Sequence, residues 1–316
     1  MSANIDTLDK LYAAFDGLSV EGGWHRRSPA LWPEPRKTLL PYRWRYADVR
    51  PILDAAGKLV DTEQAAERRN LTMTNPAEGN IYPTVRSMVA AYQLILPGEK
   101  AYAHRHTPNA LRIILDGRGS YTTVNGTRAE MRPGDVLLTP SWTWHSHENV
   151  GNQDCCWIDV LDVPLVHLLE PMFFERHPDR LEKHWVDVTE HPIAFRYEDN
   201  VARLAKAGAP AHGMASREIE LGAPAFPTIA LHVQGFDQGF RSATRRTTAS
   251  QLLAVLEGRG RATIDGQVFD FDRGDVIAVP AWRPLQVETD TKALFVRASD
   301  EPLYDKLGWL RSQTDP

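Results

Sequence analysis

The sequence predicts an all-β protein in which one chain forms two antiparallel barrels. An internal repeat and its regular turn residues indicate this fold. Residues 115–142 read LDGRGSYTTVNGTRAEMRPGDVLLTPSW, and residues 256–282 read LEGRGRATIDGQVFDFDRGDVIAVPAW. Because the two copies keep Gly, Asp, Pro and Trp in step, we expect both to form the same small β-structure.

Each copy consists of short β-type runs separated by turns. Asn125-Gly126 in the first copy and Asp265-Gly266 in the second are dipeptides that favour two-residue hairpin turns. The run Leu111–Leu115 before the first of these turns is rich in β-branched and large apolar residues. Several short strands at this spacing are typical of an antiparallel barrel or jelly roll.

The remainder of the chain is less regular and contains the predicted helices. Leu303, Leu307 and Leu310 share one face of a helix near the end of the chain. In chain order we expect an N-terminal arm with helices at 1–85, a first barrel at 86–165, a connecting segment at 166–215, a second barrel at 216–300 and a C-terminal helix at 301–316.

Composition excludes several classes of protein. The chain has 316 residues and a net charge of −5, so it lacks the basic excess of a nucleic-acid binder. No apolar run reaches the roughly 18 residues that cross a membrane, and the first residues do not show the basic flank and apolar stretch of a signal peptide. The two cysteines, Cys155 and Cys156, are adjacent and form no disulfide framework. We expect a cytoplasmic protein that binds neither nucleic acid nor a membrane.

Three histidines in the first repeat have the spacing of a metal site. His104 and His106 are two residues apart, so on a strand both imidazoles project from one face. His145 follows the hairpin at Asn125-Gly126, which returns the chain beside the strand that carries the first two. Three imidazoles inside a barrel can hold a divalent metal and leave its opposite side open.

The second repeat is an internal control for this interpretation. Its residues at the positions of His104, His106 and His145 are Arg245, Thr247 and Leu285. If the histidines served only the fold, the second barrel would need them as well. The sequence therefore predicts one metal site in the first barrel and none in the second.

These residues resemble the two motifs of the cupin superfamily. The first motif is matched by Gly98, His104, His106 and Gly117, and the second by Gly134, Pro140, His145 and Asn149. Ala110 or Leu111 stands where the first motif usually has a Glu ligand, so the resemblance implies an all-histidine triad.

The runs AHRHTPNALRIILDGRG, MRPGDVLLTPSWTWHSH and WIDVLDVPLV are similar to the gentisate 1,2-dioxygenase group, which includes salicylate and 1-hydroxy-2-naphthoate ring-cleaving enzymes. This resemblance implies a bicupin that uses Fe(II), commonly assembles as a homotetramer and inserts both atoms of O₂ into an aromatic ring. Pro108 departs from the polar residue expected after HRHT.

Strand alternation and the resemblance together name residues around the metal. Arg112 is six residues after His106 and faces the same interior, where it could clamp a substrate carboxylate or pair with an internal acid. His147 is two residues after His145 and could donate or accept a proton, or serve as a fourth ligand.

Three further residues are assigned to the substrate by the resemblance. Gln93 is placed by the carboxylate, although a backbone partner is an equal alternative, and Arg68 could instead lie on a solvated helix face. Asp159 is placed to accept a hydrogen bond from the 5-hydroxyl of gentisate. A backbone amide or a nearby Arg could also satisfy this carboxylate.

The sequence therefore predicts an Fe(II)-dependent dioxygenase that cleaves the C1–C2 bond of a 2-hydroxybenzoate, with gentisate as the first candidate. A 5-nitro- or 5-halosalicylate and 1-hydroxy-2-naphthoate are alternative substrates. An alternative of another class is a non-catalytic cupin that binds a small aromatic acid.

Overall fold

A computed structural model of the chain describes residues 4–24, 30–62, 68–188 and 192–315. The chain divides into two compact units, Met1–Arg36 and Lys37–Pro316. The described part of the first unit contains helix α1 (Leu8–Ala13), at whose start the Thr7 side chain accepts a hydrogen bond from the Lys10 amide at 3.3 Å. Among the described residues, no helix is long and apolar enough to cross a membrane.

The second unit contains two series of strands and helices in the same order. The first series is β1 (Tyr42–Trp44), α2 (Tyr46–Leu59), β2 (Asn70–Thr72), β3 (Val89–Ile95), β4 (Lys100–His106), β5 (Ala110–Asp116), β6 (Ser120–Val124), β7 (Thr127–Met131), β8 (Val136–Thr139), β9 (His145–Asn149), β10 (Cys155–Leu161), α3 (Val163–Leu169) and β11 (Phe174–Arg176). An extra strand, β12 (Val186–Val188), separates the two series.

The second series is β13 (Ala194–Phe195), α4 (Tyr197–Ala205), β14 (Arg217–Leu221), β15 (Ala230–Phe236), β16 (Thr244–Thr247), β17 (Gln251–Glu257), β18 (Gly260–Ile264), β19 (Gln267–Phe271), β20 (Val276–Val279), β21 (Leu285–Thr289), β22 (Ala293–Ser299), α5 (Glu301–Lys306) and β23 (Ser312–Asp315).

Each barrel is a sandwich of two sheets. The first barrel has the strand orders β13-β8-β5-β10-β3-β2 and β11-β4-β9-β6-β7-β12, and the second has β1-β20-β17-β22-β15-β14 and β19-β18-β21-β16-β23. A large apolar cluster joins Ile113 and Ile158 of the first barrel to Leu252 and Val296 of the second. The predicted all-β, two-barrel fold is confirmed, while the exact domain boundaries stay a prediction.

The repeated unit is longer than the sequence pattern shows, because it includes residues expected to form an arm and a connecting segment. Strand β1 from the predicted arm pairs with β20 of the second barrel, and β13 from the predicted connecting segment pairs with β8 of the first. Helix α2, which also lies in the predicted arm, runs through Pro51. These segments are therefore integral parts of the two barrels.

The first turn of the helix after each exchanged strand contacts the repeated Gly-Asp pair. The Tyr46 amide donates to Asp275 at 2.9 Å, and the Tyr197 amide donates to Asp135 at 2.9 Å. Gly134 has a φ of +87°, and a Cβ there would lie 2.4 Å from the Tyr197 ring. Close packing of these tyrosines explains why both repeats keep Gly-Asp at this turn.

The predicted helix over 301–316 is present only in its first part. Helix α5 ends at Lys306, and Gly308 has a φ of +70°, a left-handed conformation that favours the end of a helix. The final residues then form β23, which pairs with β16 in the same way that β11 pairs with β4. The regular leucine spacing could not show this turn, because the strand depends on a partner far along the chain.

Candidate metal centre

The three predicted histidines meet inside the first barrel. His104 and His106 lie on β4, and His145 is the first residue of the neighbouring strand β9, directly opposite His104. The ring centroid of His145 lies 4.5 Å from that of His104 and 4.8 Å from that of His106. One ligand atom from each residue lies within 4.8 Å of the others, so the three side chains are close enough to share one ion.

Backbone carbonyls orient two of these rings. The Nδ1 atom of His106 lies 2.8 Å from the carbonyl oxygen of Pro108, and that of His145 lies 3.1 Å from the carbonyl oxygen of Thr143. Since a carbonyl oxygen can only accept, each Nδ1 carries the proton and each Nε2 keeps its lone pair. This tautomer suits a metal ligand. The unexpected Pro108 thus contributes through its main chain.

The surroundings keep the imidazoles neutral. Burial and the nearby charge of Arg68 lower the pKa of His104 to about 2, and burial, together with the charge of Arg112, lowers that of His106 to about 4. Burial also lowers the pKa of His145 well below its usual range. Neutral imidazole is the form that binds a metal ion, so the donor set fits a divalent cation without first losing protons.

Arg112 and Asp159 form a pair beside the histidines. They lie directly opposite each other on β5 and β10, and both are buried. The Arg112 Nε atom lies 3.6 Å from an Asp159 oxygen, and its Nη1 atom donates to the Thr139 hydroxyl at 2.6 Å. The alternative in which a nearby Arg accompanies the Asp159 carboxylate is therefore realised in the structure.

The other predicted site residues also line or approach this interior. His147 is 2% exposed, and its ring centroid lies 5.5 Å from that of Trp157. Gln93 is buried on β3, opposite Trp157. Arg68 donates to the Tyr102 carbonyl at 2.9 Å, and the same Nη2 atom lies 3.5 Å from the His104 Nδ1, so it faces the site instead of a solvated helix face.

Three buried nitrogens of this interior have no hydrogen-bond partner among the residues that the structure describes. They are Arg112 Nε, His147 Nδ1 and Trp157 Nε1. Buried polar atoms are usually satisfied, so such a group indicates space for a polar ligand next to the histidines. Sequence reasoning missed Trp157, although its place two residues before Asp159 puts both side chains on one face of β10.

Comparisons with known proteins identify the family. A family model described as "Cupin domain" matches residues 91–161. Gentisate 1,2-dioxygenase from Streptomyces sp is 32% identical over 96% of this chain and 95% of its own length. The chain belongs to the gentisate 1,2-dioxygenase family. It is accordingly a ring-cleaving dioxygenase, and the three-histidine site in such a cupin implies a metal cofactor.

Other relatives and several solved structures are similar to this chain over nearly its whole length. The 5-aminosalicylate 1,2-dioxygenase from Comamonas sp is 33% identical over 97% of this chain and 90% of its own length. The salicylate 1,2-dioxygenase from Pseudaminobacter salicylatoxidans has a TM-score of 0.87 and 27% identity, covering 97% of both chains. A structure of that enzyme with gentisate has a TM-score of 0.88 and 27% identity, covering 98% of this chain and 95% of the other.

The second barrel of this dioxygenase has the same register without the ligands. Arg245 lies directly opposite Leu285, as His104 lies opposite His145. Within the described residues, the triad is the one group of three or more His, Cys, Asp or Glu residues placed to hold a metal. The interior of the second barrel therefore offers no comparable site in this part of the chain.

Proposed function

We propose that this chain holds Fe(II) through His104, His106 and His145 and cleaves the C1–C2 bond of a 2-hydroxybenzoate, with both atoms of O₂ entering the product. The observation that carries the proposal is the convergence of three neutral imidazoles beside two buried nitrogens, Arg112 Nε and His147 Nδ1, that have no hydrogen-bond partner in the described structure. When bound, the iron supplies open coordination positions where an electron-rich ring and O₂ can react together.

Charge balance supports an aromatic acid as the substrate. Three neutral ligands leave a divalent ion with its full charge, which a dianionic 2-hydroxybenzoate would neutralise in this buried interior. Arg112 adds a fixed cation whose Nε has no partner in the described structure apart from the longer contact to Asp159. In this proposal it binds the carboxylate and orients the ring against the histidines.

His147 is the candidate for proton transfer. Burial and the charge of Arg112 lower its pKa well below the usual range, so the ring is neutral and its nitrogens can accept or donate a hydrogen bond. Its ring edge-packs on Trp157, which fixes its direction within the barrel. His147 would hydrogen-bond the phenolic oxygen of the substrate, and Gln93 and Arg68 would complete the walls of the site.

Gentisate is the first candidate substrate, because Asp159 can accept a hydrogen bond from a hydroxyl para to the phenolate. The ion pair with Arg112 weakens this selection for gentisate, since a ligand without the 5-hydroxyl does not leave Asp159 without a partner. We therefore expect a moderate preference for gentisate, with plain or 5-substituted salicylates and 1-hydroxy-2-naphthoate as slower substrates.

An oxygen electrode with a panel of hydroxybenzoates tests the proposal. We expect O₂ uptake with gentisate that exceeds uptake with salicylate, 5-nitrosalicylate and 5-halosalicylates. Equal or faster uptake with any of these would overturn the gentisate assignment, and no uptake with any ring would overturn the proposed reaction. We also propose a homotetrameric, cytoplasmic enzyme, which sedimentation of the purified protein and cell fractionation test.

A further inference from the structure

Arg105 lies between two of the proposed metal ligands and faces away from them. Successive residues of a strand project to opposite faces, so its side chain leaves the barrel where His104 and His106 enter it. The guanidinium carbon lies 4.4 Å from the ring centroid of Trp142 and 4.5 Å from that of Trp144. Two indoles therefore enclose the Arg105 guanidinium, an arrangement that is favourable for a cation.

A carboxylate on β11 holds this guanidinium in place. The Nε and Nη2 atoms of Arg105 donate to one oxygen of Glu175 at 2.8 Å and 2.6 Å. The same strand, β11, pairs with β4 along the ligand-bearing residues. We call Trp142, Arg105 and Trp144, together with Glu175, the Trp–Arg–Trp stack.

The stack joins the two strands that carry the triad. Trp144 directly precedes His145, and both its amide and its carbonyl bond to Asn125, each at 2.9 Å. The amide of Trp142 donates to the carbonyl oxygen of His106 at 2.8 Å. The segment that carries both indoles is therefore tied by its main chain to β4 and runs directly into His145.

Trp142 occupies a backbone conformation that favours glycine. Its φ is +61°, in the left-handed region where a large side chain is strained. Such strain persists where surrounding contacts fix the residue, and here the indole stacks on Arg105.

The second barrel contains part of the same arrangement. Arg246 lies 4.8 Å from the ring of Trp282, whose φ is +60°, and it donates to the Gln313 side chain at 3.0 Å and 2.6 Å. Pro284, however, occupies the position of Trp144, and the neutral Gln313 occupies that of Glu175. In the barrel without metal ligands, the arginine is thus held by one indole and one side-chain amide.

We propose that the Trp–Arg–Trp stack is a positioning device for the metal site: it fixes the spacing between His145 and the pair His104 and His106. Arg105 acts through these ligands and does not touch the substrate, so it is a positioning residue. The inference rests on the proposed ligand role of the triad. The second indole and the carboxylate, present only in the ligand-bearing barrel, are the parts devoted to the metal.

Metal release tests the proposal without an activity assay. The protein is purified anaerobically with its metal, and excess EDTA is added while metal release is followed over time. Loss of a group that hydrogen-bonds a metal ligand commonly lowers metal affinity about 10–100-fold. Arg105 acts on the ligands indirectly, so we expect Arg105→Leu to release metal about ten times faster, at the low end of that range. Arg105→Lys, which keeps the cation between the indoles and beside Glu175, should recover part of the slow release.

Arg246→Leu is the matched control, because it removes the equivalent cation from the second barrel. We expect both leucine variants to lower the thermal midpoint similarly, while Arg246→Leu leaves the rate of metal release unchanged. Equal release rates in wild type and Arg105→Leu, or equal acceleration in the two leucine variants, would overturn the positioning role. Full retention of metal by His145→Ala would instead refute the ligand assignment on which the inference rests.

Discussion

The two barrels of this chain share a strand order and differ in the interior. Each begins with a strand exchanged into the other barrel, followed by a helix whose first tyrosine amide binds the other repeat's Gly-Asp turn. At the matched register, the first barrel pairs His104 with His145, and the second pairs Arg245 with Leu285. The repeat thus defines the scaffold, while the ligands are specific to one copy.

Several interior charges of the second barrel pair with one another. Arg297, at the position of Asp159, donates to Glu301 at 3.1 Å and faces the His232 ring at 3.0 Å. Although burial alone raises the pKa of Glu218, its hydrogen bond with His212 and the charge of Arg297 hold that pKa at about 2. At these positions the second barrel has a network of arginine, glutamate and histidine, whereas the first barrel has the histidine triad and the pair of Arg112 with Asp159. Loss of the ligands therefore accompanies a different internal charge network.

The largest contrast should come from matched substitutions at the second ligand position. His106→Ala removes one of three ligands, so we expect it to abolish metal binding and activity together. Thr247→Ala makes the equivalent change in the second barrel and should leave both intact. Iron analysis and O₂ uptake on the two purified variants check this. Equal metal content in the two variants would contradict the difference between the barrels.

Arg112→Leu copies Leu253, its counterpart in the second barrel. Loss of a buried cation that faces a carboxylate should weaken substrate binding by about 2–5 kcal/mol while the metal is retained. Calorimetric titration of the anaerobic protein with salicylate measures this effect. Because the substitution leaves Asp159 buried without its cation, Arg112→Leu combined with Asp159→Asn is the control for stability. Unchanged affinity in both variants would refute the clamp.

The third contrast is between two matched carboxylates. Asp300 precedes α5 in the second barrel, and Asp162 precedes α3 in the first. Burial raises the pKa of Asp300 to about 7, well above its ordinary 3.8, although the Ser87 hydroxyl and the Ser250 amide donate to it. The folded chain thus keeps a proton that the unfolded chain loses near pH 4. This contribution to stability is complete below that pH and is lost as the pH rises through about 7.

Asp300→Asn should therefore reduce the fall in unfolding free energy between pH 5 and pH 8 by about 2–4 kcal/mol. Denaturant titrations at both pH values measure it. Asp162→Asn changes the matched carboxylate of the first barrel and is the control. If the fall in unfolding free energy came from pH-dependent metal loss and not from Asp300, it would be the same in Asp300→Asn and Asp162→Asn. The interpretation fails if wild type and Asp300→Asn lose equal stability over this interval.

The smallest expected effect is on the choice of ring. Asp159→Asn keeps a hydrogen-bond acceptor and removes the charge opposite Arg112, so the ratio of gentisate to salicylate kcat/KM should fall about tenfold. A larger loss is not expected, because Arg112 already accompanies this carboxylate. Steady-state O₂ uptake on both rings gives the ratio. An unchanged ratio would exclude Asp159 from ring selection.

Local signals in the sequence are sufficient to predict the two barrels and the clustering of the three histidines. Hairpin dipeptides, strand alternation and the comparison of the two repeats correctly placed His104, His106 and His145 in one cluster. Their spacing is local to β4 and to the start of β9, and one hairpin return brings the two together. Such features need no knowledge of distant pairing.

The features that sequence analysis missed or left open depend on distant partners. Strand β1 pairs with β20, more than 200 residues later, so its role in the second barrel is not visible in its own residues. The pairing of Arg112 with Asp159 follows from the register of β5 and β10, which alternation alone leaves open. The contact of Arg68 with His104 likewise requires the folded chain.

The metal content of the anaerobically purified wild-type protein tests the central claim most directly. The asymmetry between the barrels predicts close to one iron per chain, located between His104, His106 and His145 in an anomalous-scattering map. A second tightly bound ion in the barrel of Arg245 and Leu285, or an iron away from the triad, would contradict the account.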